Sequence, residues 1–536
     1  MKRKFWALMA DDTFDVLVVG GGIYGAWTAY DAALRGLTVA IVDKGDWASG
    51  TSSASTKLIH GGLRYLEHLR LDLVRTSLEE RKRLATLAPH MVLPLRFFVP
   101  VYEENRVGPM MLKTGLWMYD LLAGKHQPVA GHRSVSRRQA MVRYPFLNTE
   151  QMTRGFTYGD CQMDDCRFTL DIVKGAVKAG AVAVNYVEAV ELLQDRKKVV
   201  GATVRDLTTG SKINISAKLV VNAAGPWVPL LGKAHFMSNF IRLSKGVHLV
   251  MPPLPVCDAL LLMTQDDKRI FFMVPWYGKT LVGTTDADFS DDPDTVAVTR
   301  EDVEYLLTET NRFLGDQVWK PEDVLGAFAG LRALKNEPGK PPSQVSREWS
   351  FVEHSPGLMV SIGGKFTSAR ADAAQMVNRI LELLNRPSLG ETPTATVLLP
   401  SAPHGDFKSW QNSTKRKSRR LGMDPETTGW SIFRYGTAVE KLHKWIRRDA
   451  ALAERLVPEL PFCRAEVVYS AKKEMVVTLE DLIRRRLPVM ILSGPDRSVA
   501  EQAAALAAPY LGWSDEDCRE QVEKVMTTWQ GSASGV

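Results

Sequence analysis

The pattern of apolar and polar residues changes period twice near the start of the chain. Asp15–Val19 is an apolar run that ends at glycines, Ile23–Leu34 carries apolar residues at helical spacing, and Thr38–Val42 is apolar again. Short apolar runs bounded by turn residues predict buried strands, whereas a longer run with helical periodicity predicts a helix. These segments therefore predict a strand–helix–strand unit.

Both patterns continue along the chain. Apolar or alternating segments predict strands at Leu93–Tyr102, Val182–Val187, Lys218–Val221, Ile241–Val250, Ile270–Pro275, Thr280–Asp286, Ala327–Leu334 and Leu358–Thr367, and a hairpin at Val190–Leu207. Helical periodicity occurs at Leu66–Leu87, Ser136–Tyr144, Phe168–Ala179, Glu301–Phe313 and Thr367–Leu384. The strands between residues 241 and 286 predict a second, mostly antiparallel sheet.

One predicted helix has an unusual composition. Met110–Ala123 is apolar almost all round, and its interruptions are Lys113, Thr114 and Asp120. Such a helix either lies in a protein core or dips into the surface of a membrane. The sequence leaves both interpretations open.

The composition changes after the last predicted helix of this series. Pro387, Pro393, Pro400 and Pro403 lie close together and predict a linker. The segment beyond the linker is mostly helical in pattern and carries the basic runs Lys415–Arg420 and Arg484–Arg486. We therefore expect a C-terminal helical domain.

Composition narrows the class of protein. The 536 residues are 45% hydrophobic and 24% charged, as in a soluble globular protein, and the net charge of +7 permits attraction to anionic lipid or an anionic substrate. No nucleic-acid partner is expected, because no recognition-helix, RNP or zinc motif occurs. No run of about 18 apolar residues predicts a membrane-spanning helix. The N-terminal apolar run Phe5–Ala10 is too short for a secretory signal.

The cysteines and clustered carboxylates indicate neither disulfides nor a metal. The five cysteines are odd in number and irregular in spacing, which fits a reducing compartment. We expect Cys161 and Cys166 to be small buried residues rather than a redox pair. Asp160, Asp164 and Asp165 have no histidine beside them, so capping or ion pairing is favoured over metal binding.

The glycines after the first strand carry the first chemical signal. Gly20, Gly22 and Gly25 form GxGxxG between the predicted strand and helix, and Asp43 follows the second strand. This arrangement is typical of a dinucleotide site, in which helix N–H groups bind a pyrophosphate and the acid binds ribose hydroxyls. The unit alone does not distinguish NAD from FAD.

The next loop favours FAD. It contains a run of hydroxyl residues, Ser49, Thr51, Ser52, Ser53, Ser55 and Thr56, followed by Lys57, His60, Gly61, Gly62 and Arg64. Hydroxyl groups can line a diphosphate and ribityl chain, and paired glycines let a flat flavin ring approach the backbone.

The string SSASTKLIHGGLRYLE resembles the signature of the FAD-dependent glycerol-3-phosphate dehydrogenases, within the D-amino-acid-oxidase-like superfamily. RLSKGVHLV, VGTTD, FAGLRAL and GGKFTSAR follow in the family's order, and AEVVYSAKKEMVVTLEDLIRRR resembles its C-terminal helical domain. Asp43 stands where glutamate is common in the family, and Ala333 where proline is usual.

The resemblance implies an α/β fold, α+β overall, with a Rossmann-like FAD-binding βαβ domain, a substrate domain with a mixed or antiparallel sheet and a C-terminal helical domain. It divides the chain into FAD-binding segments 12–88, 151–228 and 326–386, substrate-domain segments 89–150 and 229–325, a linker at 387–404 and a helical domain at 405–536.

The resemblance also implies site residues. The substrate, sn-glycerol 3-phosphate, is expected to contact Arg64, Tyr65, His248, Arg332, Arg347 and Lys365, of which His248, Arg332 and Lys365 are the candidate catalytic residues. His248 is the candidate base, and His60 is the second candidate. Val187, Ala224, Gly225, Gly364, Lys365, Phe366 and Thr367 complete the predicted FAD site.

The implied reaction is oxidation to dihydroxyacetone phosphate, with electrons passed to a quinone at the cytoplasmic face of the cell membrane. An oxidase that uses oxygen and a non-catalytic flavin-binding membrane protein are the alternatives. A homodimer is compatible with the sequence, which does not fix the oligomeric state.

Overall fold

The structure is a computed structural model of the full chain. It describes residues 1, 3, 9, 10, 12–233, 241–264, 269–316, 318–337, 339, 348–387, 390–494 and 496–532. Arg347, a predicted phosphate ligand, lies outside the described residues.

The strands are β1 (Thr13–Val19), β2 (Val39–Asp43), β3 (Leu58–Ile59), β4 (Leu93–Tyr102), β5 (Arg133–Val135), β6 (Met152–Gln162), β7 (Val182–Asn185), β8 (Val187–Asp195), β9 (Lys198–Asp206), β10 (Lys212–Asn222), β11 (Ile241–Met251), β12 (Ala259–Met263), β13 (Ile270–Trp276), β14 (Lys279–Gly283), β15 (Ala287–Phe289), β16 (Gly326–Lys335), β17 (Ser350–Ser355) and β18 (Leu358–Ile362).

The helices are α1 (Ile23–Leu34), α2 (Leu71–Leu87), α3 (Pro109–Ala123), α4 (Arg137–Arg143), α5 (Asp165–Lys178), α6 (Arg300–Asn311), α7 (Ala369–Leu383), α8 (Phe407–Arg420), α9 (Pro425–Tyr435), α10 (Val439–Ile446), α11 (Arg464–Lys473), α12 (Val489–Ser493), α13 (Arg497–Leu511) and α14 (Asp515–Ser532).

The first sheet is built around the predicted strand–helix–strand unit. Its order is β17-β18-β10-β1-β2-β7, parallel from β18 to β7, and the β8–β9 hairpin joins through β10. Side chains on one face, such as Val16 and Ile41, pack with α1, α5 and α7, while Leu17 and Val42 pack beneath the hairpin. Strands that are buried on both faces must be apolar throughout, which explains the uninterrupted apolar runs.

The second sheet is mostly antiparallel, as predicted. Its order is β15-β11-β14-β13-β12-β4-β6-β3, with β16 on β11 and β5 on β6, and β4 and β12 form a parallel pair. One face packs against C-terminal helices in a cluster that includes Phe97, Ile483 and Val499. The other face packs against α6 through residues such as Phe98 and Leu306. The fold class predicted from the sequence is therefore confirmed.

Strand β6 was not predicted. It contains Asp160, whose carboxylate is buried and bonded by Arg81 Nη1 at 2.6 Å and by Tyr119 Oη at 2.9 Å. A buried charge persists only when it is paired, and its partners lie on α2 and α3. Strand β6 is therefore stabilised by contacts with residues distant in sequence, and such contacts give no apolar–polar alternation from which the strand could be predicted.

Helix α3 is neither fully buried nor uniformly exposed. Leu116 and Tyr119 face the core, whereas Met110, Trp117 and Leu121 are 86%, 59% and 63% exposed. No helix among the described residues is long and apolar enough to cross a membrane.

Candidate cofactor and substrate site

A cavity of about 1020 Å³ opens at the carboxyl ends of β1 and β2. Its walls come from both sheets: Gly20 and Asp43 belong to the first, while His248, Phe272 and Arg332 belong to the second. In open α/β sheets, ligands bind at the carboxyl ends of the parallel strands. The two predicted halves of the site therefore face one cavity.

The glycine turn is tightly constrained. Gly20 has φ +109°, and a Cβ there would lie 2.5 Å from the carbonyl oxygen of Ala223. A Cβ on Gly25 would lie 1.8 Å from the carbonyl oxygen of Gly20. Gly25 thus lets α1 pack against the turn rather than lining the cavity, as expected for the third glycine of this motif.

Asp43 is held by backbone N–H groups at the cavity wall. Gly21 N–H donates to Oδ2 at 2.5 Å, and Gly45 N–H donates to Oδ1 at 2.7 Å. Burial raises the pKa of Asp43 to about 6, and these two hydrogen bonds oppose the rise. The carboxylate is oriented before any ligand arrives.

The hydroxyl-rich loop divides into residues at the cavity and residues behind it. Ser52 Oγ accepts a hydrogen bond from the Ile23 N–H at 2.8 Å, so it occupies the start of α1. Lys57 is 3% exposed, and its Nζ lies 2.5 Å from Asp165 and 2.6 Å from the Ser53 carbonyl oxygen. The predicted cofactor contact of Lys57 therefore needs correction: its ammonium group supports the loop from behind.

That ion pair also explains the clustered carboxylates. Among the described residues, Asp164, Asp165 and Cys166 form the one group spaced like metal ligands. Asp165 is paired with Lys57, and Asp164 accepts from the Arg167 N–H at 3.0 Å and the Tyr277 hydroxyl at 2.8 Å. These oxygens cap a helix and pair with side chains.

The segment of the paired glycines contacts the turn before α7 and the residues behind the cavity wall. The His60 N–H donates to Thr367 Oγ1 at 3.2 Å. The Gly61 N–H donates away from the cavity, to Tyr119 Oη at 2.9 Å and Asp160 Oδ1 at 3.1 Å. Gly62 has φ +72°, which turns the chain back into the cavity wall.

Most residues predicted to bind the cofactor line this cavity: Gly20, Gly22, Asp43, Thr51, Ser52, Ser55, His60, Gly62, Val187, Ala224, Gly225, Gly364, Lys365, Phe366 and Thr367. Gly25, Ser53, Lys57 and Gly61 lie behind its walls. The cavity volume is at the upper end of the usual range of about 300–1,000 Å³ for ligand sites, so a dinucleotide fits here. The glycine turn, the oriented acid and the hydroxyl-lined wall suit FAD.

The predicted substrate residues that the structure describes line the same cavity: Arg64, Tyr65, His248, Arg332 and Lys365. Arg332 Nη2 donates to Thr284 Oγ1 at 2.8 Å, and Arg332 Nη1 lies 3.2 Å from Asp286 Oδ1. Lys365 Nζ lies 3.7 Å from the centroid of the Tyr65 ring. Three cationic side chains, Arg64, Arg332 and Lys365, thus line the same cavity as the glycine turn.

His248 is a buried imidazole that lines the same cavity. Its ring stacks on Phe328 with centroids 5.1 Å apart, and Nε2 lies 3.0 Å from Thr56 Oγ1. Burial lowers the pKa of His248 well below its usual value, and the charges of Arg332 and Lys57 lower it further. The imidazole is therefore neutral in the ligand-free site.

Two contacts were not predicted: those of Tyr24, and that of Thr56, a residue of the predicted hydroxyl-rich loop, with His248. Tyr24 Oη accepts a hydrogen bond from the Lys365 N–H at 2.9 Å and donates to Asp372 Oδ2 at 2.7 Å, fixing the turn that carries Gly364. Thr56 orients His248. Tyr24 occupies a variable position of GxGxxG, and neither contact has a local sequence signal.

Two family models match the chain. One, described as FAD dependent oxidoreductase, matches residues 15–370, and the other, described as the C-terminal domain of alpha-glycerophosphate oxidase, matches residues 393–518.

Individual proteins agree with the family models. A glycerol-3-phosphate dehydrogenase from Synechocystis sp. is 33% identical over 533 residues, covering 95% of each chain. The aerobic glycerol-3-phosphate dehydrogenase of Staphylococcus haemolyticus is 34% identical over 490 residues, covering 89% of this chain and 87% of that one.

Solved structures extend the similarity to the fold. The glycerol-3-phosphate dehydrogenase of Bacillus halodurans, complexed with FAD, has a TM-score of 0.81 at 28% identity and covers 99% of this chain and 97% of its own. An L-alpha-glycerophosphate oxidase from Mycoplasma pneumoniae shares the fold, with a TM-score of 0.53 over 72% of this chain and 98% of its own, at 19% identity. The chain therefore belongs to the FAD-dependent oxidoreductase family and, within it, to the glycerol-3-phosphate dehydrogenases.

Proposed function

We propose that this chain oxidises sn-glycerol 3-phosphate to dihydroxyacetone phosphate with bound FAD and passes the electrons to a membrane quinone. One observation carries the proposal: a single cavity is lined by the dinucleotide-binding turn, by three cationic side chains and by a buried histidine. The relatives named glycerol-3-phosphate dehydrogenase support the same substrate.

Cationic side chains hold the substrate phosphate in this proposal. Arg64, Arg332 and Lys365 line the cavity. Guanidinium groups bind phosphate oxygens bidentately and stay charged, so they suit a dianion. Arg347 is assigned to the same task from its sequence motif alone.

His248 takes the proton of the C2 hydroxyl in this proposal. Its Nδ1 has no hydrogen-bond partner among the described residues, while Nε2 is engaged by Thr56. A neutral imidazole keeps one unprotonated nitrogen, which can accept that proton. Burial is the largest cause of the lowered pKa of His248, and the charge of Arg332 is the second. A phosphate dianion beside Arg332 would offset that charge, so substrate binding would make the imidazole a stronger base.

Bound FAD would supply the hydride acceptor. As the C2–H bond breaks, the hydride leaves, the hydroxyl proton moves to His248 and the C2–O bond becomes a carbonyl. Phe328 holds the imidazole by stacking, and Thr56 fixes its rotation. The reaction rate falls steeply when a catalytic base is misplaced, so these two contacts would keep the His248 ring in the orientation that the reaction needs.

Helix α3 supplies the candidate contact with the membrane. Met110, Met111, Trp117 and Leu121 are exposed along it, and solvent-exposed aromatic and apolar side chains of this kind bind the boundary of a bilayer. Leu116 of the same helix is fully buried and takes no part in this contact. The proposed membrane contact therefore rests on the exposed residues of α3.

The electron acceptor is identified by reducing the flavin with glycerol 3-phosphate and then following the reoxidation of the flavin. We expect a short-chain quinone to reoxidise the flavin much faster than air-saturated buffer, with little peroxide formed. Fast peroxide formation without quinone turnover would instead assign the chain to the oxidases.

A further inference from the structure

The C-terminal domain reaches the loop that follows β2. Arg485 Nε donates to Asp46 Oδ2 at 2.8 Å, and Arg486 Nη1 and Nη2 each donate to Asp46 at 2.7 Å. The Asp46 side chain is fully buried. Because removing one partner of a buried ion pair is costly, these contacts fix the turn Asp481–Arg486 against the loop.

A second chain of contacts holds the same loop from the side of β8. The Tyr186 N–H donates to the Gly45 carbonyl oxygen at 3.0 Å, and the Tyr186 hydroxyl donates to Asp481 Oδ1 at 2.6 Å. Gly45 in turn donates to Asp43, the acid of the dinucleotide motif. Three hydrogen bonds in series thus connect the C-terminal turn to the cofactor wall.

Arg484 differs from its two neighbours. Its side chain is 33% exposed and lines the cofactor cavity, together with Ser49, Gly50 and Trp227. Among the described residues, its guanidinium is hydrogen-bonded only through Nη1, which donates to Glu480 at 3.0 Å. The remaining N–H groups are left to bind a ligand of the cavity.

Two other cations that line the cavity, Lys44 and Arg485, have carboxylate partners of their own, whereas Arg484 shares Glu480 with Arg485. Lys44 Nζ lies 2.7 Å from Asp294, and Arg485 is bonded to Asp46 and Asp481. A dinucleotide carries its negative charge on its diphosphate, which a guanidinium binds with paired hydrogen bonds. Arg484 has the chemistry and the position for that contact.

We propose that Arg484 binds the diphosphate of FAD, so that the C-terminal domain completes the cofactor site while Arg485 and Arg486 hold the turn in place. The inference rests on FAD binding by this chain, as in the proposed function. It assigns the C-terminal domain a role in cofactor retention.

The test compares three ligands on the full-length chain after removal of flavin. Arg484→Gln should weaken binding of FAD and ADP by between about tenfold and a hundredfold, as for a lost hydrogen bond to a charged group. Riboflavin has no phosphate, so its affinity should be unchanged. Arg484→Lys should lie between the wild type and Arg484→Gln.

Arg419→Gln, on the exposed side of α8, is the matched control and should bind FAD like the wild type. The proposal is overturned if Arg484→Gln binds FAD and ADP normally, or if riboflavin affinity falls in parallel with FAD affinity. Failure of the wild type to bind FAD would instead contradict the proposed function itself.

Discussion

The residue that decides the proposed chemistry is His248, and its role separates into binding and catalysis. His248→Asn removes the proton acceptor but keeps a polar side chain against Thr56. We expect kcat to fall by about 10² or more, because positioned bases contribute at least that much, with the FAD content unchanged. Stopped-flow reduction by glycerol 3-phosphate measures the step directly. Normal flavin reduction by the variant would exclude His248 as the base.

Asp43 gives cofactor binding a predictable pH dependence. Its pKa is raised to about 6 by burial, so the carboxylate becomes protonated as the pH falls through that value. Because the ionised form accepts hydrogen bonds from ribose hydroxyls, FAD affinity should fall below about pH 6 and level off above it. Titrations of the flavin-free chain with FAD at several pH values check this.

Asp43→Asn is the matched control, since it cannot ionise. Its FAD affinity should be weaker at neutral pH and flatter across the same pH range. An unchanged pH profile in Asp43→Asn would show that another group controls the binding.

The position of a residue at the cavity was predictable where the residue belongs to a local motif and not where it depends on distant partners. The glycine turn, Asp43 and the cations Arg332 and Lys365 stand in short strings with recognisable spacing. The burial of Lys57 beside Asp165 joins residues 108 positions apart, and Tyr24 meets Lys365 across 341 positions. No periodicity records such pairs.

At the scale of elements, the strand–helix–strand unit was predictable because its strands are buried on both faces and its helix is largely buried, so each segment is apolar. Helix α1 has the predicted bounds, and β4 also matches its prediction. Helix α2 begins at Leu71 rather than Leu66, since a 3₁₀ turn, Leu63–His68, first carries the chain along the cavity.

The exposed residues of α3 give the membrane proposal a sharp test. Trp117→Glu and Leu121→Glu each place a charge on the exposed side of the helix, and we expect both to weaken binding to anionic vesicles. Flavin content and reduction by substrate should stay normal, because neither residue lines the cavity. Vesicle flotation measures the binding.

Val318→Glu is the control for this test, since Val318 is 57% exposed and lies outside α3. It should float with vesicles like the wild type. If Trp117→Glu and Leu121→Glu also float normally, α3 does not contact the membrane.

At the scale of the whole molecule, a buried hydrogen-bond chain joins the linker to helix α5, which packs on the first sheet. His90 Nε2 lies 2.9 Å from Ser401 Oγ, and Ser401 Oγ donates to Asp171 on α5 at 2.6 Å. Burial lowers the pKa of His90 to about 3, and the charge of Arg167 acts in the same direction. The folded chain therefore holds this imidazole neutral.

That lowered pKa predicts a loss of stability in acid. Between about pH 6.5 and pH 3 the unfolded chain binds a proton at residue 90 that the folded chain does not, so stability falls as the pH falls. Because of this group, the free energy of unfolding falls by up to about 1.4 kcal/mol for each unit by which the pH falls. The free energy of unfolding of His90→Gln, measured with denaturant at several pH values, should therefore change less steeply with pH, by that amount.

His126→Gln changes an exposed histidine and should keep the wild-type slope. If the free energy of unfolding changes equally with pH in His90→Gln and the wild type, the pKa of His90 does not differ between the folded and unfolded states.

The central claim is that one chain joins bound FAD to the oxidation of glycerol 3-phosphate, and a single measurement addresses it. The purified, yellow protein is titrated without oxygen, first with glycerol and then with glycerol 3-phosphate, while the flavin absorbance is recorded. We predict that glycerol leaves the visible band unchanged and that glycerol 3-phosphate bleaches it, with one dihydroxyacetone phosphate formed per flavin. A colourless protein, or a flavin band that glycerol 3-phosphate does not bleach, would contradict the account.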